Sequence, residues 1–154
     1  IGNGVTKTIY IKGNLIISSN ITYASNWTTP SDIPSLTFVV AGNIYINPSV
    51  TQLYGNYFST GTVYTCPGPG TNVYAGGPAC GEGKTPANQL TIFGSIMAHE
   101  IALERTYGDI TGSNGDDIAP AEVFNYGPGV WLAGLGSTNL NSGYGSITNL
   151  PPIL

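Results

Sequence analysis

Charge is scarce in this sequence. Four Lys and Arg stand against eight Asp and Glu, 8% of 154 residues, where about 25% is usual for soluble globular chains. So few cations exclude a nucleic-acid partner, because that binding rests on Lys and Arg neutralising phosphates. The net charge of −4 sets up no long-range field. Histidine occurs once, at His99, and His99-Glu100 begins a zinc-protease motif that Leu103 breaks, so neither a zinc pair nor a triad can assemble around it. No apolar run reaches the roughly 18 residues of a membrane span. No charged and then apolar leader is present, and the chain is expected to be a mature, processed form. Composition rich in Ala, Glu, Lys, Leu and Arg is also missing, which excludes a coiled coil or helical bundle.

The residues that are present favour one β-rich domain. Apolar residues make up 41% and there are ten Tyr, too many for a disordered chain. A chain of this length buries roughly 70% of its unfolded surface. The two cysteines, Cys66 and Cys80, frame a loop dense in Gly and Pro. A disulfide across about 15 residues contributes roughly 3 kcal/mol in the loop-entropy picture. That pairing is the expectation, and it implies an oxidising compartment; two thiols in a reducing one are the alternative.

A repeat organises the chain. Ile9, Ile11, Gly13, Leu15 and Ile17 fall on alternate positions. So do Phe38, Val40, Gly42, Ile44 and Ile46, and again Leu90, Ile92, Gly94, Ile96 and Ala98. Period-two apolar faces predict strands. Each central Gly lies on the inward face, where it marks a kink or a close backbone approach. Ile21, Val50 and Ile101 suggest a second short strand in each unit. Residues 97–107 allow a helical face but also continue the third template, and are expected to be strand. Unevenly spaced glycines argue against a solenoid, whose repeats are steadier. The expected fold is therefore all-β, a small barrel or roll with Gly-kinked long strands. Residues 25–34 and 108–120 read as polar loops, 123–132 as late strand, and 134–154 as a Gly-, Ser- and Asn-rich tail.

Candidate chemistry is thin. Glu100 and Glu104 are close, but neighbours on one strand face rarely frame a sugar as a glycosidase pair must. Asp109, Asp116 and Asp117 supply oxygens without the EF-hand spacing. No catalytic, metal or cofactor site is expected. Arg105 is the sole Arg, and a buried guanidinium demands a partner; Glu122 is the candidate for a structural ion pair. Trp27, Trp131, Tyr54 and Tyr57 are candidates for a sugar platform, although Tyr more often fills strand faces. Asn20-Ile21-Thr22 and Asn26-Trp27-Thr28 are glycosylation sequons that chance alone would supply. The chain opens with a strand, in which Val5, Lys7, Ile9 and Ile11 alternate with Thr6, Thr8 and Tyr10. A terminal strand can complete another subunit's sheet.

Four blocks carry a resemblance: IYIKGNLIISSNITY from Ile9, IPSLTFVVAGNIYINPSVTQLYG from Ile33, QLTIFGSIMAHEIALERTYGD from Gln89 and PAEVFNYGPGVWL from Pro120. With the Cys loop between them, they resemble a group of secreted bacterial proteins. Proteins related to that group are subunits of pilus-like extracellular fibrils assembled by donor-strand complementation. The resemblance covers most of residues 9–132 and lies in the order of blocks, not in a catalytic motif. It implies that Val5–Ile11 is a donor strand exchanged between subunits. It also implies glycan decoration, with Asn20 and Asn26 as candidates. The expected organisation is a donor strand at 1–12, a barrel at 13–133 and a tail at 134–154. The expected function is an extracellular, cell-surface filament that binds copies of itself and has no enzyme activity. A carbohydrate-binding or adhesin module is the alternative.

Overall fold

Alternating apolar residues do become strands, but the strands stack in parallel. The computed structural model describes residues 1–67, 88–105 and 120–126. Nine strands follow in order among the described residues: β1 (Thr6–Ile11), β2 (Leu15–Ile17), β3 (Ser35–Val40), β4 (Ile44–Ile46), β5 (Gln52–Ser59), β6 (Thr62–Tyr64), β7 (Leu90–Met97), β8 (Glu100–Ala102) and β9 (Glu122–Asn125). One sheet has the order β1-β3-β5-β7-β9 and the other β2-β4-β6-β8. Every neighbouring pair is parallel. The chain therefore passes from one sheet to the other and back, adding a strand to each on every turn. This is a parallel β-coil, and among the described residues no barrel closes.

The barrel or roll with an exchanged N-terminal strand is thus corrected. β1 pairs along its whole length with β3 of its own chain, Thr6 opposite Ser35 through Ile11 opposite Val40. The uneven spacing that argued against a solenoid has a simple cause. Stacked corner residues lie 29 apart from Asn14 to Asn43 and 19 apart from Asn43 to Thr62. Asn56 and Ser95, one above the other, lie 39 apart. Loops of different length leave each turn, while the strands remain in register.

The core is the space between the sheets. Val40, Ile44, Val50, Leu53, Val63, Leu90 and Ile92 are fully buried there, with Ile46 and Tyr57 nearly so. Burying one such side chain contributes about 1.5–3 kcal/mol. β4 is buried at all three positions, as a strand of a parallel sheet covered on both faces should be. Aromatic rings stack between successive turns: Phe38 on Tyr57 at 5.3 Å and Tyr45 on Tyr64 at 5.2 Å. Residues 97–107 are not helical where described: β7 ends at Met97 and β8 begins at Glu100.

Glycines mark two corners, and they do not align as the sequence templates suggest. Gly13, Gly42 and Gly61 stack at the corner between the sheets. A Cβ on Gly42 would stand 2.9 Å from the Gly13 carbonyl, closer than side chains tolerate. Gly94 instead lies within β7, opposite Gly55 of β5. Both have positive φ, 150° at Gly94 and 126° at Gly55, a region open to glycine and closed to most side chains. A Cβ on Gly94 would meet the Gly55 carbonyl oxygen.

Candidate functional site

The corners of a β-coil are where backbone groups lose their ladder partners, and buried ones must find others. At the Gly13–Gly42–Gly61 corner, side-chain amides take over. Asn14 Oδ1 accepts the Asn43 backbone N–H at 2.9 Å, and Asn43 Oδ1 accepts that of Thr62 at 2.9 Å. Asn43 Nδ2 donates to the Tyr45 hydroxyl. At the Gly55–Gly94 corner, the Tyr23 hydroxyl accepts the Leu36 N–H at 2.7 Å. Tyr23 itself lies on Tyr54, which stacks on Phe93 at 4.4 Å.

The third corner is where the chain leaves the four-stranded sheet, and Arg105 fills it. This side chain is only 5% exposed. Its Nε donates to the Thr65 carbonyl at 2.9 Å, and its Nη2 to that of Asn47 at 2.9 Å. Nη1 donates to the carbonyls of Val50 at 2.6 Å, Asn88 at 2.7 Å and Pro48 at 3.4 Å. Only a guanidinium offers a fixed fork of five N–H donors. Burial pushes its pKa down to about 10, with Glu122 opposing the fall, so the cation persists at neutral pH.

Glu122 does lie beside Arg105, but it does not pair with the guanidinium. Its Oε1 accepts the Arg105 backbone N–H at 2.9 Å and the Thr65 hydroxyl at 2.8 Å. The same hydroxyl accepts the Glu104 N–H. Carbonyls and side chains from four successive turns are thereby tied to one residue. No buried side-chain polar atom among the described residues lacks a hydrogen bond.

The other predicted residues are scattered. Glu100 and Glu104 are both exposed on or just after β8, the last described strand of its sheet. Partial burial, and then the charge of Glu100, raise the Glu104 carboxyl. His99 is exposed at the turn between β7 and β8, its N–H bonded to the Gly61 carbonyl. Tyr57 is a core residue and Tyr54 a stacked one, so they share no platform with Trp27, which is exposed on the loop after β2. The two sequons differ. The Asn20 amide is engaged, its Oδ1 accepting the Thr51 and Gln52 N–H groups and its Nδ2 donating to Thr51 Oγ1. Asn26 is exposed and, among the described residues, shares only its backbone carbonyl, with Asn3.

Cys66 is buried just after β6, and no cysteine among the described residues is free. Cys80, and with it the predicted Cys66–Cys80 bridge, lies outside the described residues. So do Asp109, Asp116, Asp117, Trp131 and the tail. Among the described residues no group of three His, Cys, Asp or Glu could hold a metal, and no helix is long and apolar enough to cross a membrane.

The strand assigned as a donor has an edge of its own. In parallel pairing, alternate residues point their N–H and C=O groups to one side. The Val5 and Ile11 carbonyls accept N–H groups from Ser35 and Ala41. The backbone groups of Thr6, Thr8 and Tyr10 therefore face away from β3. Ile9 is also exposed and Ile11 half-buried, although both belong to rows that are buried one turn later at Phe38 and Val40. Searches for a matching family model, a curated relative and a solved structure of similar fold all returned no match.

Proposed function

We propose that this chain is a non-catalytic structural module of an extracellular filament, in which copies add end to end through the edge of β1. The observation that carries the reading is that edge. Six residues long, it has β3 on one side only among the described residues, where it presents three peptide groups without partners beside exposed Ile9 and half-buried Ile11. A coil in which each turn contacts only its neighbours is quasi-one-dimensional. A strand arriving in parallel continues it and covers the end. No strand leaves its own subunit, so assembly by this route replaces strand donation. The low charge supports the reading, since charge is the usual defence of an exposed edge, and Lys7 is the only charge within β1. The cysteine usage supports an oxidising, extracellular setting.

The test is Thr8→Pro. The Thr8 N–H faces away from β3, so proline removes an edge donor and leaves the β1–β3 ladder intact, as it does on natural edge strands. Negative-stain microscopy should show filaments for the wild-type chain and discrete particles for the variant, with similar circular dichroism. A wild-type chain that remains monomeric at high concentration, or variant filaments at wild-type yield, would overturn the proposal.

A further inference from the structure

The face of β1 and its neighbours carries a second, independent feature. In β3, buried Leu36, Phe38 and Val40 alternate with Ser35, Thr37 and Val39, which look outward. Register extends these outward positions across four strands. One row is Thr8, Thr37, Asn56 and Ser95. The next is Tyr10, Val39, Phe58 and Met97. Neighbouring strands lie about 4.8 Å apart, so each row runs roughly 14 Å along the coil.

The two rows differ in chemistry. The first is entirely hydroxyl and amide. Ser95 donates to Asn56 Oδ1 at 2.7 Å, while the Thr8 and Thr37 hydroxyls have no hydrogen-bond partner among the described residues and can bond a ligand. The second row is apolar and largely exposed: Tyr10 is 77% exposed, Met97 65% and Phe58 36%, with Val39 half-buried between them. Isolated exposed apolar residues are ordinary, but a contiguous row is the mark of a contact surface. Neither row contains a formal charge.

We infer that this strip binds an uncharged linear polysaccharide. A sugar chain offers C–H faces to aromatic and apolar side chains and hydroxyls to Thr, Ser and Asn, and the strip places these two needs side by side along one line. A polyanion would find no cation in either row. The strip lies on the outward face of the sheet, whereas filament growth uses the β1 edge, so either reading can fail without the other.

Calorimetric titration with cello- and chito-oligosaccharides, and with polygalacturonate as the charged control, tests the inference. The wild-type chain should bind a neutral series and ignore polygalacturonate. Tyr10→Ala/Phe58→Ala/Met97→Ala should weaken binding at least tenfold, and Thr37→Val should weaken it less. Circular dichroism and thermal midpoint check that both variants remain folded. Absence of binding to either neutral series, preference for the polyanion, or undiminished binding by the folded triple variant would overturn it. A triple variant that changes oligomeric state in sedimentation while glycan binding is unchanged would also overturn it, and would assign the strip to a second copy.

Discussion

The Asn corner and the Arg105 corner meet the same need by opposite means. At the first, glycines bring successive turns into contact, and each turn brings its own amide: Asn14 serves Asn43, and Asn43 serves Thr62. At the second, one side chain serves several turns at once, from Asn47 to Asn88. A repeated amide is local and modular, and losing one leaves the other in place. A shared cation is neither. The comparison teaches that a coil of irregular turns need not be stabilised turn by turn. Where loops of different length prevent a repeated solution, a long side chain with many donors can reach across them.

Arg105→Met is the strongest way to test that contrast. It keeps much of the side-chain volume and strands the carbonyls of Thr65, Val50, Pro48 and Asn88, while that of Asn47 keeps the Val50 N–H. Each buried carbonyl left without its donor costs about 1–3 kcal/mol, and the sum is a large share of the roughly 5–15 kcal/mol that holds a domain folded. The urea midpoint should fall by more than about 1 M. Arg105→Lys should recover little, because an ammonium has three donors and no fork. Hydrogen exchange should accelerate together in β4, β6 and β7. A loss confined to the turn that contains Arg105 would break the contrast with the Asn corner.

Asn43→Ala sharpens the other side of the comparison. It removes the acceptor of the Thr62 N–H and the donor to the Tyr45 hydroxyl. The cost should be about 1–2 kcal/mol, that of a part-buried group left unpaired. Exchange should quicken at Thr62 and its neighbours and remain slow at β7. A loss as large as that of Arg105→Met would mean that the amide ladder is as widely shared as the guanidinium.

The sequence showed strands and faces more readily than the way they stack. Ile9 to Ile17 and Phe38 to Ile46 announce their alternation, and both become strand, corner, strand. The third member of that stack is the segment around Gly61. It goes unnoticed because Ser59 and Thr65 occupy two of its inward positions. Gly94, in the template that is noticed, belongs to a different corner. Alternation fixes which side of a strand is buried, but not whether its neighbour runs parallel. That is decided by the path of the returning chain, which has no local signature. The same holds for the site. Arg105 beside Glu122 is legible as residue types, whereas a cage of main-chain carbonyls leaves no trace in side-chain chemistry. Tyr23 is hidden for a related reason: its hydroxyl replaces a ladder bond that only the Gly55 corner makes necessary.

Asp32 provides the smallest and most local test, because it does the work of the Asn corner with a group that can titrate. Its Oδ2 accepts the Thr28 hydroxyl at 2.8 Å and the N–H groups of Thr29 at 2.8 Å and Thr28 at 3.1 Å. These bonds, the Thr28 hydroxyl first, draw its pKa from 3.8 to about 2. A carboxylate depressed on folding adds stability that is complete above its unfolded pKa. That stability is lost as pH falls through the folded one. The loop from Thr28 to Ile33 should therefore loosen between about pH 4 and pH 2, seen as amide shift changes in Thr28 and Thr29. The Asn14 and Asn43 contacts, made by groups without a proton to gain, should remain unchanged over the same range. Simultaneous changes at Asn43 and Thr28 would show that the loop and the Asn corner respond as one unit.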